Sequence, residues 1–311
     1  MIGLALTAAT GLNGQNTAAD VRLVRALLNV YLRSLGESAL TISHAVDQAL
    51  IDLIKRFQQE VMKLAKPDGL ISPQGPTFNA LVKFLRSRYT VQPITPPARG
   101  LLTWNAEGTE GGLYHSRILH VPSAASGLTL GRGYDMKLRS PAEVVRDLTA
   151  ATVPAAAAEL VSQGARLYGS AARQFIVDHD LLDFEITPAA QLALFEMIYR
   201  EKEKEVIQIC NRPQNRQEYG TVEWDALNPI IKDVLVDLIY RGDYTVATRR
   251  FLQKHVVNND LAAFSAAIAN AANWPNVPPA RLSARAAYVR GAMAAASQIA
   301  VRGNQPWVAY A

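Results

Sequence analysis

The residues best placed to do chemistry are one glutamate and one glycine-rich string. Glu107 follows a short apolar segment (Leu101, Leu102, Trp104) that reads as a helix end, and Gly108 reads as its left-handed cap. A carboxylate there meets the negative end of the helix dipole, which disfavours ionisation, and partial burial against Trp104 would push the same way. A carboxyl that keeps its proton near neutrality is what a general acid for glycoside cleavage needs. The plain alternative is a solvated loop glutamate with Glu110 beside it. The string Ser126-Gly-Leu-Thr-Leu-Gly-Arg-Gly-Tyr-Asp135 offers a second set of groups. Leu128 and Leu130 alternate with Thr129 and Gly131, so one strand face is apolar and the other can open to a cleft. Kept straight, the strand would hold Thr129 and Asp135 about 20 Å apart. Gly131 and Gly133 permit a sharp turn, after which hydroxyl and carboxylate can converge on one water molecule. The alternative is a hairpin with a turn aspartate, and a lone Gly-x-Gly is far too weak for a nucleotide site.

Other candidates carry less. The five histidines (His44, His115, His120, His179, His255) lack the spacing of a zinc hydrolase. The single cysteine, Cys210, excludes an internal disulfide and any cysteine-based zinc site. Asp233 and Asp237 lie four apart on an apolar helix, but Asp237, between Val236 and Leu238, reads as a buried residue bonded to backbone or arginine. Arg241-Gly242-Asp243 reads as a helix–helix junction in which Gly caps one helix and Asp starts the next. No metal and no cofactor is expected.

Helices must position these groups. Thr17-Ala-Ala-Asp20 reads as a capping box, followed by Val21, Val24, Leu27, Leu28, Tyr31 and Leu32 at helical spacing. Val46, Ala49, Leu50, Leu53, Ile54, Phe57, Val61 and Leu64 predict a second helix of five turns. After the turn at Asp68-Gly69, Thr77 is expected to cap a third, through Phe78, Leu81, Val82 and Leu85. Val91–Ala98 then holds three prolines in eight residues, a stiff extended spacer. The expected domains are therefore 1–90, a linker at 91–98, and 99–311. Beyond the Ser126–Asp135 string, the one β signal, helices are predicted at Ala142–Thr149, Ala155–Gln163, Ala171–His179, Pro188–Gln208, Asn228–Tyr240, Tyr244–His255, Leu261–Ala272 and Arg281–Ala300. The fold class is mainly α: an N-terminal three-helix bundle and a helical domain with one small β-hairpin.

Composition agrees with a globular chain: 311 residues, 49% apolar, 19% charged. Net charge is +5, and residues 1–98 hold ten basic against six acidic residues, with no Lys/Arg block. Nucleic acid is thus not favoured, and an anionic polymer such as cell wall is compatible. No run approaches the roughly 18 apolar residues of a membrane span. Met1–Thr10 lacks the basic start of a signal peptide, so synthesis in the cytoplasm and another exit route are expected.

Glu107-Gly108 followed by Ser126–Asp135 resembles the catalytic core of the pesticin-like muramidases, relatives of phage-type lysozymes. That family has a Glu-Gly on the first helix of the domain, a Ser-Gly-x-Thr strand and a Gly-x-Gly-Tyr/Phe-Asp turn. Ile186-Thr-Pro188 and Val236–Asp243 look like later helices of the same domain. The resemblance implies a lysozyme-like α+β domain in which Glu107 is the acid and Thr129 and Asp135 hold water. His115, Arg117 and His120, in the segment between the two motifs, are expected to be structural or to contact substrate. Ala19-Asp-Val-Arg-Leu-Val-Arg-Ala-Leu-Leu-Asn29, Ile54-Lys-Arg-Phe-Gln58 and Asp68-Gly-Leu-Ile-Ser-Pro-Gln-Gly75 resemble the three-helix peptidoglycan-binding domain, whose groove lies near the loop after its second helix.

The implied function is a bacteriolytic peptidoglycan hydrolase that cuts between N-acetylmuramic acid and N-acetylglucosamine, with inversion at the anomeric carbon. Rival readings are a lytic transglycosylase, a non-catalytic wall-binding protein and a chitin-directed hydrolase. The expected partner is bacterial peptidoglycan, met in the periplasm or wall after holin release or delivery by a secretion machine. An injected effector would add an immunity protein or a secretion-system component, and a monomer is expected.

Overall fold

Side-chain caps and apolar stripes place most of the helices. The computed structural model describes residues 4–112 and 114–303, with side chains described as far as 294. Among the described residues are thirteen α-helices, one 3₁₀ turn and four two-residue strands, so the chain is mainly helical with small antiparallel sheets. No helix of these residues is long and apolar enough to cross a membrane. The chain divides into two compact units: residues 1–95 with 108–195, and residues 96–107 with 196–311.

In the first unit, strand β1 (Thr10–Gly11) precedes helix α1 (Ala18–Ser34). Thr17 caps α1 by accepting from the Asp20 N–H. The reciprocal half of the expected box is absent. Asp20 instead accepts from the Thr7 and Ala8 N–H groups and from the Thr7 and Thr17 hydroxyls, which fasten the chain start to the helix. Helix α2 (Gln48–Glu60) stops a turn short of Leu64. Strand β2 (Leu70–Ile71) pairs antiparallel with β1, a second small sheet where only one was expected. Helix α3 (Pro76–Ser87) is capped by Gly75 with Pro76 at its first position. Thr77, the expected cap, is buried and accepts from Gln58. Tyr31, Phe57 and Phe84 meet edge to face at 5.4–5.9 Å and join the three helices.

One division between the units falls inside the expected spacer, between residues 95 and 96, and the chain passes between them again after residues 107 and 195. The spacer is non-helical, as its prolines require, but α1 belongs with residues 108–195. Arg33 pairs with Asp180 at 2.5 Å and Asp183 at 2.6 Å, Asn29 donates to Asp180 at 3.0 Å, and Tyr89 stacks on His115. Helix α4 (Leu101–Ala106) lies in the second unit, although the spacer ends just before it.

Residues 108–195 hold the hairpin of β3 (Thr129–Leu130) and β4 (Tyr134–Asp135), with Thr129 opposite Asp135 and Leu130 opposite Tyr134. The apolar side of the hairpin is shut: Leu128, Leu130, Tyr134 and Met136 are all fully buried. Helices α5 (Pro141–Ala150), packed on α6 (Ala155–Ser162), and α7 (Gly169–Asp178) follow. The long α8 (Pro188–Cys210) gives its first two turns to this unit and the rest to the other.

The second unit comprises α4, the remainder of α8, and then α9 (Pro213–Tyr219), α10 (Pro229–Arg241), α11 (Val246–Val257), α12 (Leu261–Ala269) and α13 (Pro279–Gly303). The polar α9 has no counterpart in the sequence expectations. One core joins all of these helices except α9, with Val206, Ile231, Val234, Leu235, Leu238, Leu252, Phe264, Ile268 and Val289 at its centre. Gly242 ends α10 in the left-handed region, as expected, whereas Thr245 and not Asp243 caps α11. The last six residues of the Arg281–Ala300 helix expectation, 295–300, lie in a stretch whose backbone alone is described.

Candidate active site

Thr129 and Asp135 are brought together as the glycine spacing implies. Gly131 and Gly133 both take positive φ, and the turn between them returns the strand so that the two residues face each other across the ladder. Directly opposed residues project to the same side of the sheet. The Asp135 carboxylate accepts from the Gly127 N–H at 3.1 Å and the Lys137 N–H at 2.8 Å, and remains half-exposed. Two backbone donors therefore fix its orientation and leave acceptor capacity for water. The Thr129 hydroxyl donates to the Gly127 carbonyl at 3.2 Å, so its lone pairs remain for a donor.

A third residue joins this row. His120 exchanges both backbone hydrogen bonds with Thr129, at 3.0 and 2.7 Å, and so shares the face of Thr129 and Asp135. Its Nδ1–H donates to the Ile118 carbonyl, because a carbonyl can only accept. Burial holds the ring below its usual pKa, against the opposing pull of the Ile118 bond and Asp135. A neutral imidazole thus flanks the threonine.

Glu107 sits at the C-terminus of α4, in the position expected, but Gly108 is not a left-handed cap. Its φ is not positive, and glycine is needed for a different reason: a Cβ there would stand 2.8 Å from Arg132 Cγ and 2.8 Å from Ser116 Oγ. Burial raises the Glu107 pKa, the Asp237 charge adds to the rise, and Arg281 and Arg241 oppose it. Trp104, on the same helix, is 2% exposed. The direction is that expected of an acid, with an ion pair working against it. Arg281 Nη2 donates to Glu107 Oε1 at 2.9 Å.

Behind Glu107 lies a buried network that the sequence reading reached only in part. Asp237 is fully buried and bonded to arginine, as expected: it accepts from Arg281 at 2.5 Å, Arg285 at 2.6 Å and the Thr103 hydroxyl at 3.2 Å. Arg285 also pairs with Asp243 at 2.7 Å. Asp233 accepts from the hydroxyls of Tyr199 and Tyr288. Arg281 further borders a cavity of about 650 Å³ with Leu102, Asn105, Ala106, Arg241 and Tyr288. Nothing local marks Arg281, which lies 174 residues from Glu107.

Glu110 has different neighbours. It accepts from Arg117 Nε at 2.9 Å and Gln191 at 3.0 Å, and its side chain is 10% exposed. Arg117 is buried and also binds Glu185 and the Ile186 and Thr90 carbonyls. His115 Nδ1 accepts from the Gly111 N–H at 2.7 Å, so Nε2 carries the proton and donates to Glu185 at 2.8 Å. His115 and Arg117 are both buried, and their polar atoms are taken up by these partners. Among the described residues no group of three His, Cys, Asp or Glu is placed to hold a metal ion.

Comparison with known proteins adds one finding. The family described as a domain of unknown function, DUF8812, matches residues 100–286, well over half the chain, and the chain belongs to that family. No curated protein matches it.

Proposed function

We propose that this DUF8812 member is a peptidoglycan hydrolase, a muramidase cutting the β-1,4 bond between N-acetylmuramic acid and N-acetylglucosamine. Glu107 gives its proton to the glycosidic oxygen as the bond to the anomeric carbon breaks. Asp135 takes a proton from the attacking water while Thr129 orients it, and the nearby carboxylate stabilises the oxocarbenium-like transition state. The chemistry calls for no metal and no cofactor. Within this reading, the helices and hairpin after residue 99 are a lysozyme-like domain and the three N-terminal helices a wall-binding bundle. The protein would reach the wall as a phage lysin or an injected effector, and gene neighbourhood would separate the two.

The observation that carries the reading is the pairing of Thr129 with Asp135 and the fixing of that carboxylate by two N–H groups. The raised pKa of Glu107 supports its role as acid. A non-catalytic wall-binding protein is the second reading, favoured by the Arg281–Glu107 ion pair, which draws the proton off the carboxyl. Turbidity of purified wall separates them. The hydrolase clears it, and Glu107→Gln loses clearing while its far-UV circular dichroism is unchanged. General acid catalysis is typically worth about 10²–10⁴-fold. Clearing by the variant at the parent's rate would remove Glu107 from the mechanism.

A further inference from the structure

The hairpin carries groups that the proposed acid and water site leave unused. Lys137 follows Asp135 by two residues, and its backbone N–H is one of the two that hold the Asp135 carboxylate. Its ammonium donates to the Ala125 carbonyl at 2.8 Å and stands 5.0 Å from the centre of the Tyr168 ring. Among the described residues, no carboxylate lies within ion-pair distance of that ammonium. Tyr168 is 57% exposed, and its backbone bridges Gly127, the other residue that holds Asp135. The Gly169 N–H donates to the Ser126 carbonyl, and the exposed hydroxyls of Ser123 and Ser126 bond each other at 2.8 Å.

A cation, an aromatic ring and a pair of hydroxyls are thus tied by backbone bonds to one carboxylate. A solvated lysine ordinarily keeps its side-chain freedom, and a carbonyl together with a ring face restrains this one. Tyrosine offers a broad apolar face with a polar tip, a surface on which the apolar face of a pyranose can lie. An unneutralised ammonium over one face of such an exposed ring selects for negative charge on whatever lies beside it.

We propose that Lys137 and Tyr168 form a subsite for an anionic sugar residue, so that the Asp135 site takes carboxylated glycan in preference to neutral glycan. The inference rests on the glycoside hydrolase reading and names the charge class of its substrate. Within a wall glycan the carboxylate has two sources: the lactyl group of unsubstituted muramic acid, or the stem peptide once that lactyl group is amidated.

Binding can be read without turnover, from ¹⁵N chemical-shift titrations of the full chain. The ligands are N,N′-diacetylchitobiose, N-acetylglucosaminyl-N-acetylmuramic acid, and the same disaccharide carrying its stem peptide. The parent should bind at least one carboxylated disaccharide up to about fivefold tighter than chitobiose, the upper end for an exposed charge pair. Which of the two binds tighter identifies the source of the carboxylate. Lys137→Met should abolish the preference, as should high salt, and Tyr168→Ala should weaken all three ligands alike. Equal affinities in the parent, or a preference that survives Lys137→Met, would overturn the proposal. Failure of the hydrolase reading looks different: wall left undigested by a parent that still shows the charge preference.

Discussion

Asp237→Asn tests whether the Glu107 carboxyl is set by the ion network behind it. Both oxygens of Asp237 are engaged, taking Arg281 at 2.5 and 3.2 Å, Arg285 at 2.6 Å and Thr103 at 3.2 Å. Asp237 and Arg285 are fully buried, so a charge left without its partner stays out of water. Removing one member of a buried ion pair costs about 3–5 kcal/mol. The amide keeps an acceptor oxygen, and Arg281 and Arg285 retain Glu107 and Asp243. The expected loss is therefore at the lower end, about 3 kcal/mol. Against a typical stability of about 5–15 kcal/mol the variant stays folded, with a lower urea midpoint read by tryptophan fluorescence. A second effect follows from charge. Asp237 helps hold the proton on Glu107, whereas Arg281 draws it off. Asp237→Asn should therefore move the alkaline limb of the activity profile to lower pH, and Arg281→Met should move it to higher pH. A stability loss below about 1 kcal/mol, the value of an exposed pair, would refute the reasoning, as would limbs that move in the same direction.

Gly108→Ala should destabilise by about 1–3 kcal/mol, because the new methyl meets Arg132 and Ser116 at 2.8 Å; an unchanged thermal midpoint would show that the two can give way. Burial lets native Glu107 keep its proton above the ordinary carboxylate range, about 4.3, so parental stability falls as pH rises from there to the native pKa. Glu107→Gln lacks that titration, and its stability relative to the parent should improve from acid to neutral pH in urea melts; a difference that stays flat or declines would contradict the assignment. Glu110→Gln should lower stability by removing the charge opposite buried Arg117, yet keep wall-clearing activity per folded molecule; the reverse outcome would make Glu110 the acid. Thr129→Val should impair turnover strongly, and the first product of the parent should have inverted anomeric configuration by proton NMR, whereas a trapped glycosyl-enzyme in intact-protein mass spectra would exclude inversion.

What was legible in the sequence follows the range of the interactions. The approach of Thr129 and Asp135 could be read because Gly131 and Gly133 sit between an apolar alternation and Asp135, all within ten residues. Asp237 could be read as buried because its own neighbours on α10 are apolar. The β1–β2 pair could not, since two-residue strands separated by most of the N-terminal segment carry no periodicity. Helix α9 was hidden by its polar composition, Pro-Gln-Asn-Arg-Gln-Glu-Tyr. The ion pairs of Arg33 with Asp180 and Asp183 and of Arg281 with Glu107 join residues 147 to 174 positions apart. Those contacts fix which residues share a unit and what partners Glu107, and no local pattern announces them. His120 was noticed only as a bystander; its place in the row with Thr129 and Asp135 depends on a β-bridge outside the named strands.

Mass spectrometry of the soluble fragments released from purified, protein-free peptidoglycan tests the central claim most directly. The account predicts disaccharide-peptides with hydrated, reducing muramic acid ends from the parent and none from Glu107→Gln. Anhydro-muramic ends would make the enzyme a transglycosylase, which has no need of the water held by Thr129 and Asp135. Intact peptidoglycan after prolonged digestion with folded parent would contradict the hydrolase reading altogether.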